Sequence, residues 1–368
     1  MQEFYLQDMT YESEYNLDGD ITLFILHNGA VFIIFYIAQK LADSPSVLRQ
    51  HRESNATLYE NYPEGQSREV EERLRRPFEE LMRRLAPNAS TESIKSLHSY
   101  LYPPSFILEA EVAESHVQPH FKTALSRQEF VRPGEYLSNE FIQSHLSSLA
   151  SKVNEYSSRQ VQVSAHTPRM VPSIARVDGV TYFFKPWISG RVHGYHELRS
   201  HDKILGASEA SSSFLLSARI CRLQGLIIDH DDDVLQHYHL GSNEEDSHGT
   251  RLVGLLLTYI ENKGTMEDLA PWSDCTNEER ARWLRQISDS VQSLHAAGVV
   301  WGDVKPGNVL IGKDGNAYLI DFGGSYTRDW VDEDKMETVE GDLQGVKRIE
   351  EWLARCSKKH FPRIMVQE

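Results

Sequence analysis

The sequence predicts an α+β protein made of two regions, and the order of apolar patterns along the chain carries this prediction. Residues 1–159 combine an apolar hairpin with amphipathic helices, which favours an accessory region of mixed α/β structure. From about residue 160 to 260 the chain carries short β-rich runs around one helical segment, and from about 261 to 358 it is mostly helical. We therefore expect a second domain over 160–368 with two lobes, the first rich in strands and the second helical.

The composition is that of an ordinary globular protein and excludes several classes of function. The 368 residues carry a net charge of −16, so we expect neither nucleic acid nor an anionic membrane surface as a partner. Cys221, Cys275 and Cys356 lack C-x-x-C spacing, which argues against a disulfide framework or a zinc ribbon. A reducing compartment follows. Because the acidic N-terminus does not resemble a signal peptide, we expect a cytoplasmic location, with the nucleus as the alternative.

The clearest element of the first region is the apolar run ITLFILHNGAVFIIFYIA at residues 21–38. Asn28-Gly29 divides it into two β-rich halves and favours a type I′ hairpin turn, because both residues tolerate positive φ. A membrane span is the alternative, but the run is barely long enough for one. Helical patterns follow at about 68–85 and 139–156, so we expect a bundle-like packing for the rest of this region.

Short strands begin the second region: VQVSA, PSIARV and VTYFFKPW, with Asp178-Gly179 as a hairpin turn. A helix at about 195–205 and the strand-like runs ICRLQGLIID and LVGLLLTYI follow. The polar loop between these two runs, at about 229–250, is rich in Asp and His. A metal site is one interpretation of this loop, and a solvated insertion is the favoured one.

Helices dominate the remainder of the chain. Thr276 and Glu279 form a capping-box pattern at the start of a helix that stops at Gly298. Two short strands, NVLIG and AYLID, surround a turn at 313–316, and a last helix is expected at about 342–354.

The segment VVWGDVKPGNVLIGKDGNAYLIDFGGS, residues 299–325, contains two motifs at a fixed spacing. They are D-x-K-x-x-N, at Asp303, Lys305 and Asn308, and D-F-G, which begins at Asp321. Six specified residues would match by chance on the order of once per hundred thousand chains.

These motifs resemble the catalytic loop and the metal-binding loop of the protein-kinase superfamily. The resemblance implies that Asp303 accepts the proton of the substrate hydroxyl and that Lys305 neutralises the transferred phosphoryl group. It also implies that Asn308 and Asp321 bind Mg²⁺, a hard cation that prefers carboxylate and amide oxygens. Phosphoryl transfer needs such a set because it depends mainly on positioning and charge neutralisation.

The upstream half supports the same resemblance. Lys185 lies in the strand-like run TYFFKPW, where these kinases carry their phosphate-binding lysine. The following helix offers Glu197 to pair with it, and Glu209 is a weaker rival.

The segment LLLTYIENKG resembles the strand and hinge between the two kinase lobes. The resemblance implies that backbone groups of Thr258, Tyr259 and Ile260 meet the adenine of ATP. Leu257 would lie behind the adenine. The last helix resembles that of minimal atypical kinases such as the RIO family, in which an aspartate, here Asp342, supports the backbone of the catalytic loop.

Taken together, the motifs from about 160 to 356 resemble the kinase-like proteins of filamentous fungi, with three departures from the usual pattern. Trp301-Gly302 replaces the His-Arg that precedes the catalytic aspartate, and the arginine is the residue that receives an activation-loop phosphate. The segment AHTPRMVPS has no glycine and so lacks the loop that covers the phosphates. There is no A-P-E motif, and the chain ends soon after Gly323. We therefore expect a bilobal fold whose truncated C-terminal lobe lacks the helical platform for peptide substrates.

The expected function is that of an ATP-dependent phosphotransferase that uses Mg²⁺ and transfers a phosphoryl group to a hydroxyl of a protein Ser or Thr or of a small molecule. The alternative is a catalytically weak pseudokinase that acts as a scaffold or regulator, which the missing glycine-rich loop favours. ATP and an unknown phosphoacceptor are the expected partners. The departures favour a small molecule, the protein itself or one docked protein as acceptor over generic peptides.

Overall fold

The computed structural model describes residues 5–11, 17–59, 64–87, 94–101, 103–125, 135–136, 140–149, 151–164, 173–187, 192–209, 215, 217–230, 250–271 and 275–356. The chain folds into two compact units. The first unit comprises Met1–Arg132 with Gln162–Pro172, and the second comprises Pro133–Val161 with Ser173–Glu368. The predicted division at residue 159 stays a prediction, and the structure groups residues 133–161 with the second unit.

The first unit contains seven described strands: β1 Tyr5–Tyr11, β2 Ile21–His27, β3 Ala30–Tyr36, β4 Ile94–Ser96, β5 Ser105–Ala113, β6 His116–Leu125 and β9 Gln162–Ser164. Its helices are α1 Ala38–Leu41, α2 Pro45–Tyr59, α3 Glu64–Arg75, α4 Glu79–Leu85 and α5 Leu97–Leu101. Five strands form one sheet in the order β1-β2-β3-β5-β6, and β4 pairs with β9. β3 pairs parallel with β5, so the helices between them form the crossover.

The predicted hairpin of the first unit is confirmed. β2 and β3 pair antiparallel, and Asn28 and Gly29 at the turn have φ of 52° and 78°. Both residues adopt the left-handed conformation that a type I′ turn requires. No helix in the described part of the chain is long and apolar enough to cross a membrane.

The expectation of a bundle-like first region is wrong, because β5 and β6 extend the hairpin into a sheet. The described side chains of β6 are mostly exposed and polar, so the sequence shows no apolar alternation that would predict this strand. Backbone pairing to β5 holds it in the sheet. The helix predicted at 68–85 is divided into α3 and α4 by a 3-10 turn at Arg76–Phe78, where Pro77 cannot donate a backbone hydrogen bond.

The second unit contains nine described strands: β7 Glu135–Tyr136, β8 Asn154–Tyr156, β10 Ile174–Val177, β11 Val180–Pro186, β12 Leu223–His230, β13 Thr250–Thr258, β14 Asn262–Thr265, β15 Val309–Gly312 and β16 Ala317–Leu319. Its helices are α6 Glu140–Leu149, α7 Val192–Glu209, α8 Met266–Leu269, α9 Asn277–Ala296 and α10 Val339–Cys356. One sheet runs in the order β10-β11-β13-β12-β8, with β7 also paired to β13, and a small sheet runs β14-β15-β16.

The strand-rich part precedes the helical part along the chain, and the α+β class is confirmed. Asp178 and Gly179 form the turn between β10 and β11, with φ of 51° and 80°. The capping box at Thr276 and Glu279 is also confirmed, because each side chain bonds the backbone N–H of the other residue. The helical core packs around the fully buried Trp301.

The helix predicted at 139–156 ends at Leu149, and residues Asn154–Tyr156 instead form β8, parallel to β12. Pairing to the edge of an existing sheet outweighs the helical pattern there. The helices predicted at 195–205 and 342–354 are longer than expected, at Val192–Glu209 and Val339–Cys356. The Asp- and His-rich residues 231–249 and the segment 165–172 lie outside the described residues.

Candidate active site

Lys185 is the centre of a first group of charged side chains, which we call the lysine cluster (Lys185, Glu197 and Asp321). β11 carries Lys185 opposite Leu255 of β13, and α7 carries Glu197. The Lys185 Nζ lies 2.6 Å from Glu197 Oε2 and 2.9 Å from Asp321 Oδ1. The side chain of Glu197 is only 4% exposed, whereas that of Asp321 is 44% exposed, so the cluster opens to solvent on the Asp321 side.

The charges of Lys185 and Asp321 stabilise each other, whereas burial outweighs Lys185 at Glu197 and raises the pKa of that carboxyl. Burial disfavours the charge on Lys185, but Glu197 and Asp321 outweigh that cost and hold the pKa of Lys185 above its ordinary range. Burial likewise disfavours the Asp321 carboxylate, and Lys185 outweighs it, so the pKa of Asp321 is lowered. The cluster therefore presents a fixed cation next to a partly open carboxylate at neutral pH.

Asp303 is the centre of a second group, which we call the catalytic-loop cluster (Asp303, Lys305, Asn308 and Thr327). The Asp303 carboxylate accepts hydrogen bonds from Lys305 Nζ at 2.6 Å, from Asn308 Nδ2 at 2.9 Å and from the Thr327 hydroxyl at 2.8 Å. Lys305 Nζ also donates to Thr327 Oγ1 at 3.0 Å. A hydroxyl at this place has both a proton acceptor and a cation within hydrogen-bond distance of its oxygen.

The donor set fits a hard divalent cation. Asn308 Nδ2 is engaged by both the backbone carbonyl and the carboxylate of Asp303, which leaves its Oδ1 as the oxygen for a ligand. Asp321 uses Oδ1 for Lys185 and for the Gly323 N–H. The remaining oxygens are one amide and one carboxylate, the kind that Mg²⁺ takes together with water and phosphate. Within the described residues, no group of three or more His, Cys, Asp and Glu side chains forms a separate metal site.

Asp342 holds the backbone of the catalytic loop by accepting its hydrogen bonds. It lies in the first turn of α10, is 1% exposed, and accepts from the backbone N–H of Trp301 at 2.8 Å and of Gly302 at 2.9 Å. His295 Nε2 lies 2.7 Å from Asp342 Oδ2, the oxygen that also accepts from the Trp301 N–H. The Trp301 indole N–H donates to the Ile320 carbonyl at 2.9 Å. The tryptophan that replaces the expected histidine therefore links the catalytic loop to the residue before Asp321.

The D-F-G segment is held in a defined conformation. Asp321 has φ of 60°, a left-handed conformation that is strained for a residue other than glycine. The next side chain, Phe322, is buried and contacts His201 of α7 edge-on, with ring centroids 5.5 Å apart. His201 lies on the same face of α7 as Glu197, with Nε2 3.9 Å from Glu197 Oε1.

A cavity of about 350 Å³ joins the two clusters. Its lining includes most of the predicted catalytic and phosphate-binding residues: Lys185, Glu197, Asp303, Lys305 and Asp321. Leu255, Trp187 and Thr327 also line it, and sequence reasoning missed them. Trp187 lies two residues after Lys185 in the sequence, which is a signal that could have found it. Leu255 pairs with Lys185 from another strand, and neither it nor Thr327 had a signal in the sequence.

The predicted adenine-binding residues lie outside this lining. Leu257 is buried in the sheet core, and the Thr258 N–H is already bonded to the Arg222 carbonyl at 2.9 Å. The Ile260 carbonyl accepts from Asn262 Nδ2, and Tyr259 is exposed. The roles assigned to these residues, and to both clusters, stay predictions. The side chain of Glu209, the weaker rival of Glu197, lies outside the described residues.

Comparison with known proteins points to one family. The protein kinase domain model matches residues 234–344. The chain is 36% identical over 77 residues to serine/threonine-protein kinase PKH3 of Eremothecium gossypii, covering 18% of this chain and 11% of that protein. It is 30% identical over 123 residues to cyclin-dependent kinase F-1 of Oryza sativa subsp. japonica, covering 33% and 23%. It is 28% identical over 131 residues to mitogen-activated protein kinase kinase kinase 17 of Arabidopsis thaliana, covering 33% and 35%.

These matches span about a third or less of the length of each relative. The residues that match the kinase model contain Asp303, Lys305, Asn308 and Asp321. Asp303, Lys305 and Asp321 line the one cavity, whereas Asn308 lies outside its lining and bonds Asp303. The second unit of this chain therefore carries a domain of the protein-kinase-like superfamily, with an α+β fold.

Proposed function

We propose that this protein is an ATP-dependent phosphotransferase that moves the γ-phosphoryl group of Mg-ATP to a hydroxyl. The observation that carries the proposal is the catalytic-loop cluster, in which a hydroxyl oxygen, that of Thr327, lies 2.8 Å from Asp303 and 3.0 Å from Lys305. An acceptor hydroxyl that took this place would find a carboxylate for its proton and a cation for the arriving phosphoryl group.

In this proposal each side chain has one task. Lys185 holds the phosphates of ATP, since Glu197 and Asp321 keep it protonated. Asp321 and Asn308 hold the Mg²⁺, which neutralises phosphate charge when it is bound. Asp303 accepts the hydroxyl proton on its carboxylate. Lys305, which is bonded to that carboxylate, neutralises charge on the transferred group.

In this proposal the adenine of the nucleotide lies near the end of β13. Because the Thr258 N–H is bonded within the sheet, the adenine contact would fall to the backbone of Tyr259 and Ile260. Both follow the last residue of β13, the strand that places Leu255 beside the cavity.

For the acceptor we propose a Ser or Thr hydroxyl of the protein itself or of one docked protein, with a small molecule as the second candidate. The names of the relatives, which are serine/threonine-protein kinases among others, support the first. Gly302 offers no arginine for a phosphate on the segment after Asp321, so activity would not depend on phosphorylation of Ser325, Tyr326 or Thr327. All three cysteines are buried and Cys221 is a free thiol, which suits the reducing, cytoplasmic location that we propose.

The test measures binding and transfer separately. Thermal unfolding with ATP, with and without Mg²⁺, should show a Mg²⁺-dependent shift, and mass spectrometry should detect phosphate on the protein. Asp321→Asn should weaken the Mg²⁺ dependence, while the matched control Asp334→Asn, at an exposed position, should leave it unchanged. A Mg-ATP shift without transfer to any acceptor would favour the pseudokinase alternative. No shift at all would refute the proposal.

A further inference from the structure

Glu337 is a residue outside both clusters that joins the elements around them. It lies two residues before the start of α10 and has φ of 56°, a left-handed conformation. Its Oε1 accepts a hydrogen bond from the Ser325 backbone N–H at 3.1 Å, and its Oε2 lies 3.4 Å from Nδ1 of His196. One carboxylate therefore accepts a hydrogen bond from the segment after D-F-G and contacts helix α7 at the same time.

The close approach of this carboxylate depends on Gly324. A Cβ atom at that position would lie 2.6 Å from Glu337 Oε1 and 3.2 Å from Cγ of His196. Gly324 has φ of 71°, and Ser325, which is not glycine, has φ of 84°. Strained backbone of this kind persists only where its surroundings hold it in place. The hydrogen bond from the Ser325 N–H to Glu337 is one contact that constrains this backbone.

The two elements that Glu337 joins are the ones that carry the lysine cluster. His196 is the residue before Glu197 on α7, and Ser325 is four residues after Asp321. The two partners of Lys185, Glu197 and Asp321, thus each lie within four residues of a residue that contacts the Glu337 carboxylate. The same stretch of chain also supplies Asp342, which holds the backbone of Trp301 and Gly302.

The surroundings of Glu337 are suited to an anion. A small cavity of about 170 Å³ beside it is lined by His196, Arg199 and Lys203, all on α7. Lys203 also donates to the Gly298 carbonyl, next to the catalytic loop. Glu337 is the acidic residue in the lining of this cavity.

We propose that Glu337 is a positioning residue: its carboxylate ties α7 to the segment after D-F-G and so sets the geometry of Lys185, Glu197 and Asp321. No phosphorylation of that segment is needed, because the anion is part of the chain. The proposal rests on the proposed function, since it assigns a role in phosphoryl transfer.

The experiment compares Glu337→Ala and Glu337→Gln with the matched control Glu333→Gln, at an exposed position nearby. Glutamine can still accept from Ser325 but loses the charge beside His196. At saturating Mg-ATP we expect kcat to fall about tenfold or more in Glu337→Ala, less in Glu337→Gln, and not in Glu333→Gln. KM for ATP should change less than kcat. Because His196 and Glu337 share one contact, His196→Ala combined with Glu337→Ala should cost less than the two separate losses multiplied.

A second measurement separates this proposal from the proposed function. Amide hydrogen exchange in the protein without nucleotide should speed up in Glu337→Ala for peptides covering 323–326 and 192–203, and remain unchanged in Glu333→Gln. If the wild type transfers no phosphate, the proposed function fails. The exchange measurement still tests whether Glu337 ties α7 to the segment after D-F-G. Unchanged exchange in both peptides, or a kcat within about twofold of wild type in Glu337→Ala, would overturn the positioning role.

Discussion

The catalytic-loop cluster and the lysine cluster face the same cavity but are built in opposite ways. Three of the four members of the catalytic-loop cluster come from a stretch of six residues, Asp303 to Asn308, whose bonds close within the loop. The lysine cluster joins side chains from β11, α7 and the D-F-G segment, and Lys185 and Asp321 are 136 residues apart.

This difference has a physical consequence. The catalytic-loop cluster keeps its geometry as long as the loop is supported, and Asp342 gives that support from a single buried position. The lysine cluster keeps its geometry only while α7 stays packed on the sheet and on Phe322. We therefore expect changes at Asp303, Lys305 and Thr327 to act on chemistry alone, and changes in the lysine cluster to act on nucleotide binding and on stability together. Asn308 is the exception in the catalytic-loop cluster, because it is also a proposed Mg²⁺ ligand.

The largest effect should come from Asp303→Asn. The amide keeps the shape of the side chain but cannot take up the hydroxyl proton, so transfer should fall about a hundredfold or more. The thermal shift with Mg-ATP should persist, because no atom of the lysine cluster changes. Single-turnover transfer assays alongside thermal unfolding test this pair of expectations. Loss of the Mg-ATP thermal shift in Asp303→Asn would show that the catalytic-loop cluster also acts on nucleotide binding.

Lys185→Met changes the lysine cluster and should weaken both nucleotide binding and stability. Ligand at a hundred times its dissociation constant stabilises a protein by about 2.7 kcal/mol, and most of that shift should be lost. The variant without ATP should also be less stable, because Glu197 is then buried without a cation. Glu197→Gln added to Lys185→Met should recover part of this loss. Lys263→Met, at an exposed lysine, is the control, and an undiminished ATP shift in Lys185→Met would contradict the assigned role.

His201→Leu tests the packing behind the lysine cluster through pH. Burial lowers the pKa of His201 to about 3, whereas an unfolded histidine has a pKa of about 6.5. Between about pH 3 and about pH 6.5 the unfolded state therefore binds a proton on His201 that the folded state does not bind. The free energy of unfolding thus falls as the pH drops below about 6.5. Relative to His201→Leu, the wild type should lose about 2 kcal/mol of unfolding free energy between pH 7 and pH 5.

Intrinsic fluorescence can follow this unfolding, because all 6 tryptophans of the chain lie in the second unit. His116→Leu, at an exposed histidine of the first unit, should leave the pH dependence of that signal unchanged. An identical pH dependence in wild type and His201→Leu would show that His201 is not held neutral.

The smallest effect should come from Thr327→Val. Valine keeps the size of the side chain but removes the hydroxyl that bonds Asp303 and Lys305. Asp303 and Lys305 stay bonded to each other in the variant, so the net loss is that of about one hydrogen bond to a charged group. Such a bond contributes about 1.5 kcal/mol, so transfer should fall by about tenfold. Thr123→Val, in the first unit, is the control, and a loss as large as that of Asp303→Asn would place Thr327 in the chemistry itself.

Local signals in the sequence were sufficient for the turns and the caps. Asn28-Gly29 and Asp178-Gly179 adopt the predicted turn conformations because few other residue pairs tolerate two positive φ values. The capping box at Thr276 is likewise a contact between residues three apart. Strands β6 and β8 were missed because neither has an apolar alternation; each is defined by the strand it pairs with.

By itself, the sequence determined the catalytic-loop motif, the D-F-G motif and therefore the superfamily, since their spacing is a property of the chain alone. It also offered Lys185 with Glu197 as its favoured partner. Only the tertiary structure decided that Trp301 bonds the Ile320 carbonyl in place of the expected histidine, and that Thr327 and His201 lie against the two clusters. These contacts join residues from separate elements, and packing rather than any local pattern brings such residues together.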